Sequence, residues 1–157
     1  MSRTSLNSGD ALRPGFTLTE MMVVLFIMAI VLALAVGVSR YVMEKTGRDQ
    51  TAATQKVLVQ AIHKYHDENG EWPDGNGGDN SGQTLLTALK GCQPCKDVLN
   101  SLPDEALSAG DDAVKDGFDK EMRYDSDGGR GGRPVLISAG PDGDFDDDED
   151  NIRSDDY

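Results

Sequence analysis

Asp142, Asp144, Asp146, Asp148 and Asp150 form the densest concentration of potential chemistry in this chain of 157 residues. Packed carboxylates repel one another, and a hard divalent cation relieves this by gathering about six to eight oxygens at roughly 2.3–2.6 Å. Calcium suits such an all-oxygen loop, whereas zinc prefers nitrogen and sulfur. The alternation Asp142, Asp144, Asp146 imitates the opening of an EF-hand. Asp147 stands where that pattern needs Gly and Arg153 where it needs Glu, so the stretch is not an EF-hand. The glycine-rich nonapeptide calcium repeat is also absent. A solvated acidic tail without a fixed ion is the competing reading. Residues 139–157 carry nine Asp or Glu and one Arg, a net charge of −8.

Two further groups invite chemistry. Cys92-Gln93-Pro94-Cys95 is a lone C-x-x-C. Near a βαβ pattern in a cytosolic protein it would suggest redox activity, but no such pattern and no second cysteine pair accompany it. Outside the cytoplasm a structural disulfide in a tight loop is expected. His63 and His66 are spaced i, i+3 with no third His or Cys nearby to complete a zinc site, and read as helix-surface residues. No nucleophile, base and oxyanion arrangement is visible. Ser138 lies close to Gly140 but lacks a nucleophile-elbow context. Metal hydrolases usually gather ligands from separate elements, not from one tail. The chain reads as non-enzymatic.

One more carboxylate, Glu20, abuts an unbroken apolar run from Met21 to Val38. A charge beside hydrocarbon costs about 2.5–3.5 kcal/mol on insertion scales and is usually functional. The run is eighteen residues long. As a helix it spans about 27 Å, close to the roughly 30 Å of a hydrocarbon core. It fits a signal peptide cleaved near Ala33-Leu34-Ala35, an ordinary single-pass anchor, or a processed assembly helix. Arg3 and Arg13 precede the run, and Arg40, Lys45 and Arg48 follow it, so positive charge does not decide orientation. The net charge of −13 argues against nucleic acid and anionic membrane surfaces as partners.

Gly15-Phe16-Thr17-Leu18-Thr19-Glu20 with the apolar run resembles the cleavage and methylation motif of type IV pilins and type II secretion pseudopilins. The resemblance implies a cut by a prepilin peptidase between Gly15 and Phe16, N-methylation of Phe16, a cytoplasmic leader and a periplasmic C-terminal part. The freed α-amine of Phe16 would then attract Glu20, within one helix or between neighbouring subunits of a filament. Tyr65-His66-Asp67-Glu68-Asn69-Gly70-Glu71-Trp72-Pro73 is similar to the end of the long helix in major pseudopilins. Asp116-Gly117-Phe118-Asp119 partly matches the turn that precedes their sheet. The acidic stretch resembles their C-terminal calcium loop. Carried over, the main-chain oxygen of Ala139 and the side chains of Asp142 and Asp150 become ligands, with Asp144, Asp146 and Asp148 as substitutes or a second ion site. The implied role is a subunit of a periplasmic pseudopilus, polymerising with itself and meeting other pseudopilins and an inner-membrane assembly platform. A type IV pilin for adhesion or DNA uptake, and a secreted calcium-binding module, are the alternatives.

The elements that must position these groups follow from pattern. Residues 17–68 read as one helix, about 78 Å long. Val57, Leu58, Ala61, Ile62 and Tyr65 form an apolar stripe on it, and Asn69-Gly70 is its stop. Residues 74–83 read as a Gly/Asn/Asp-rich loop and residues 84–90 as a short helix with Leu85, Leu86 and Leu89 on one face. Residues 98–102 are apolar enough to touch the core, and residues 105–113 are loop or helix. Residues 121–125 and 135–138 read as strands. The expected class is α+β: a long N-terminal helix on a small antiparallel sheet with a C-terminal acidic loop. The expected segments are a leader over 1–15, a membrane and assembly helix over 16–40, its amphipathic continuation over 41–69, and a globular part over 70–157.

Overall fold

The structure is a computed structural model that describes residues 16–108, 110 and 112–156. The expected leader, Gly15 included, lies outside the described residues. The fold is α+β. It contains α1 (Leu18–Asn69), α2 (Ser81–Gly91), α3 (Gln93–Leu99), a 3-10 turn (Asp104–Ala106), β1 (Arg123–Asp125), β2 (Val135–Ser138) and β3 (Ile152–Arg153). The chain divides into two units, Met1–Arg40 and Tyr41–Tyr157. In the first, every described residue is exposed, including the whole apolar run.

In the second unit α1 acquires a buried face. Gly47, Thr51, Thr54, Gln55, Leu58, Ala61 and Ile62 are buried at i, i+3 and i+4 spacing, as one stripe of a helix should be. Its C-terminal half is aliphatic and joins Leu85, Leu86 and Leu89 of α2, Met122 and Tyr124, and Leu136 of β2 in a single core. Its N-terminal half is small and polar: Gly47 lies against the Phe118 ring, and Thr51 and Gln55 bond to backbone groups. Fully buried Gln55 donates from Nε2 to the carbonyls of Leu136 (3.3 Å) and Ile152 (2.9 Å), tying α1 to β2 and β3. The helix ends at Asn69, whose Nδ2 donates to Tyr65 O, while the Gly70 N–H donates to His66 O.

The sheet is antiparallel in the order β1-β2-β3. Arg123 pairs with Ile137 and Asp125 with Val135, and Ser138 of β2 pairs with Ile152 of β3. Tyr124, at the centre of β1, is fully buried, and its hydroxyl donates to Pro73 O at 3.1 Å. Burial holds that phenol well above its ordinary pKa.

Several local expectations need correction. The sheet gains a third strand, β3, whose two residues are too short to show alternation. The first strand begins at Arg123, because Glu121 makes only an isolated bridge with Lys115. The α2 helix starts at Ser81, inside the stretch expected to be loop, and Asn76 of that stretch bridges to Asp125. The cysteine pair lies at the start of α3, not in a loop. Cys92 is the N-cap and Pro94 occupies the first turn, where its missing N–H costs no helical bond. Between residues 104 and 114 the chain makes the 3-10 turn and a Leu107–Val114 bridge.

Candidate functional site

At the head of α1, Thr17 and Glu20 satisfy one another. Thr17 Oγ1 accepts the Glu20 N–H at 3.2 Å, and Glu20 Oε2 accepts the Thr17 N–H at 3.2 Å and its hydroxyl at 3.1 Å. This is a capping box, which occupies two helix donors that otherwise lack partners. Its spacing, Thr-x-x-Glu before an apolar run, is readable in the sequence and gives Glu20 a structural role beside its charge. Phe16 is 79% exposed, directly ahead of the box. Among the described residues α1 is the one helix long and apolar enough to cross a membrane, by length and composition.

The acidic loop connects β2 to β3. It begins at Ala139 and Gly140, both buried, and continues through exposed Asp142, Asp144, Asp146 and Asp148 to half-buried Asp150. Asp142 Oδ1 accepts the Asp144 N–H and Asp144 Oδ1 accepts the Asp146 N–H, both at 2.9 Å. Asp148 Oδ1 accepts from Asn151 Nδ2 at 3.4 Å. Asp142 and Asp144 thus fold back on their own backbone as successive Asx turns. Asp150 behaves differently. Its Oδ2 accepts the Asp142 N–H at 3.4 Å, while its Oδ1 and the Oδ1 of Asn151 are buried with no hydrogen-bond partner. Gly140 (φ +67°) makes room for it, since a Cβ there would stand 2.9 Å from Asp150 Oδ2 and 2.5 Å from Asp150 O. The structure thus brings the Asp142 N–H to the Asp150 carboxylate, holds Asp144 in a local turn, bonds Asp148 to the Asn151 side chain and leaves Asp146 exposed. Among the described residues no three His, Cys, Asp or Glu side chains gather as a metal-binding group.

The loop is held at two places. At its tip the Arg123 guanidinium lies 3.9 Å over the Phe145 ring and also pairs with Asp79. At its root Ser138 Oγ donates to Asp116 Oδ2 at 2.6 Å and accepts the Gly140 N–H at 3.1 Å. Beyond residue 153, Asp155 accepts from the Arg130 N–H at 2.8 Å and from Arg153 Nε at 3.1 Å. Burial pushes the Asp155 carboxyl upward, but these bonds together outweigh it and hold the group below its usual pKa.

Cys92 and Cys95 are joined in a disulfide, their Cα atoms 5.3 Å apart, and both sit in the core. His66 stacks on Trp72 with ring centroids 4.0 Å apart, and His63 meets the same ring edge-on at 5.5 Å. The two imidazoles therefore cover the aromatic residue that follows the helix stop.

One family model, the prokaryotic N-terminal methylation motif, matches residues 12–36. Searches of curated proteins and of solved structures find no match. The matched span ends within the apolar part of α1 and includes Phe16, Thr17 and Glu20. This chain carries the prokaryotic N-terminal methylation motif at the head of a long apolar helix, an arrangement that fits membrane anchoring and is consistent with the type IV pilin and pseudopilin family.

Proposed function

We propose that the protein is a structural, non-enzymatic subunit of a type II secretion pseudopilus. It is cut after Gly15 by a prepilin peptidase, methylated on Phe16 and polymerised through α1 on an inner-membrane assembly platform. Its second unit then lies in the periplasm, with other pseudopilins as neighbours. The observation that carries this reading is the methylation motif on a helix whose apolar residues from Leu18 to Met43 are all exposed. An apolar helical surface of that length needs lipid or the same helix from other copies to cover it. The cut turns Phe16 into an ammonium one residue ahead of the capping box, where Glu20 supplies the opposite charge. N-terminal sequencing and intact mass of the membrane-extracted protein test it. A methylated Phe16 start is expected, whereas a start near Val36 would make the chain a secreted module. Loss of protein export on deletion separates a pseudopilus from a pilus serving adhesion or DNA uptake.

Calcium in the 139–151 loop belongs to the same proposal. Its support is the pair of orphaned oxygens on Asp150 and Asn151, since a buried acceptor without a donor costs about 1–3 kcal/mol. The donor set is all oxygen, as a hard cation requires. Asp150, Asp142 and the Ala139 carbonyl would hold the ion, with Asp144, Asp146 and Asp148 as substitutes or a second ion site. The cation would neutralise a loop dense in negative charge.

A further inference from the structure

We propose that Asp116 is a positioning residue that couples the acidic loop to α1. The Gly140 N–H donates to Ser138 Oγ, whose hydroxyl donates to Asp116 Oδ2. Asp116 Oδ1 accepts the Phe118 and Lys120 N–H groups at 2.8 and 2.9 Å, which fixes the turn that follows it. The next residue, Gly117, donates its N–H to Thr51 Oγ1 at 2.9 Å, and the Thr51 hydroxyl donates to Gly47 O at 2.8 Å. One polar chain therefore runs from the root of the loop to the first buried turn of α1.

Two properties make this chain a coupling device. Ser138 and Thr51 are completely buried and Asp116 is 6% exposed, so water cannot replace a broken link. A group freed inside pays its full desolvation cost, which favours making or breaking the links together. There is also no slack at the helix. A Cβ on Gly47 would stand 2.5 Å from the Phe118 ring, and a Cβ on Gly117 would collide with the Gly47 carbonyl. The turn cannot shift without moving α1 at that point. Whatever orders or displaces residues 139–151 is thereby felt at Gly47–Thr51, and this requires neither a filament nor calcium.

Amide-resolved hydrogen exchange on the full-length protein in detergent micelles, with chelator present, tests the coupling. Ser138→Ala removes the link at the loop, and Thr51→Val removes the link at the helix with little change in shape. Loss of one hydrogen bond of about 1 kcal/mol corresponds to roughly fivefold faster exchange. We expect Ser138→Ala to accelerate the distant Gly117 amide by about that factor as well as Gly140, and Thr51→Val to do the reverse, on the same energetic footing. Thr51→Ser, which keeps the hydroxyl, should restore slow exchange at Gly140. The Gly77 amide, bonded to Tyr124 O outside the chain, serves as control and should not change. Acceleration confined to the amide each substitution touches would overturn the proposal. Uniform acceleration that includes Gly77 would also overturn it, since that marks general destabilisation.

Discussion

The two parts of α1 are held helical by different means. From Leu18 to Thr46 the helix is rich in apolar residues and buries none of them. From Gly47 to Asn69 it is far more polar, yet it buries a continuous stripe. In the first part the head is secured locally by the Thr17–Glu20 box, and the apolar surface is left for lipid or other copies. In the second part tertiary packing does the holding, with Gln55 bonded to two carbonyls and Leu58, Ala61 and Ile62 in the core. Hydrophobicity alone therefore does not say where a helix is buried. The more apolar part is the one that depends on partners outside the chain.

Substitutions can break this contrast. Leu58→Ala removes a fully buried side chain and should cost about 2–5 kcal/mol in denaturant melts. Leu25→Ala, on an exposed turn of the first part, should leave the melting of the second unit unchanged while weakening assembly. Equal losses from the two would erase the distinction. If the 139–151 loop takes an ion, calcium at a hundredfold excess over its Kd should stabilise the second unit by about 2.7 kcal/mol. Asp150→Asn should abolish that gain, and identical melting curves in calcium and chelator would contradict the metal reading. Gln55→Leu removes the side-chain donor from the Leu136 and Ile152 carbonyls and should cost about 0.5–1.5 kcal/mol. The Leu136 carbonyl keeps the Ser154 N–H, which limits the loss.

The smallest effect expected is on pH dependence. The carboxyl of Asp155 is depressed in the folded state, so its contribution is present above the unfolded carboxylate value of about 3.9. It is lost as pH falls through the lower folded value. Asp155→Asn should flatten the acid limb of the stability curve below about pH 4, again on that reference value. An unchanged limb would show that the contacts with Arg130 and Arg153 contribute nothing.

What the sequence discloses follows the range of the interactions. The α1 span, its Asn-Gly stop and α2 are legible because helical periodicity and stop residues are local signals. The α3 helix is hidden by Cys-Gln-Pro-Cys, where a proline and a cysteine pair suggest a loop although Pro suits a first helical turn. The β3 strand is two residues at the end of an acidic stretch and exists through its pairing with Ile137 and Ser138. Gln55 lies 97 positions from Ile152, and Asp116 lies 22 from Ser138, so no window of sequence shows either contact. In the loop, the resemblance ranks Asp142 and Asp150 ahead of Asp144, Asp146 and Asp148, and the fold sets Asp150 apart by burying one of its oxygens without a partner, which aspartate spacing does not show.

Glu20 now has two roles to separate: a cap on the helix and a charge awaiting the amine of Phe16. Filament yield from Glu20→Gln, set beside Thr17→Ala and checked by intact mass for the cut after Gly15, separates them directly. Gln at the third helical position retains the capping bond but removes the charge, while Thr17→Ala loses the cap and keeps it. The account predicts normal processing of Glu20→Gln with assembly lost, and assembly retained in Thr17→Ala. Normal filaments from processed Glu20→Gln would contradict it.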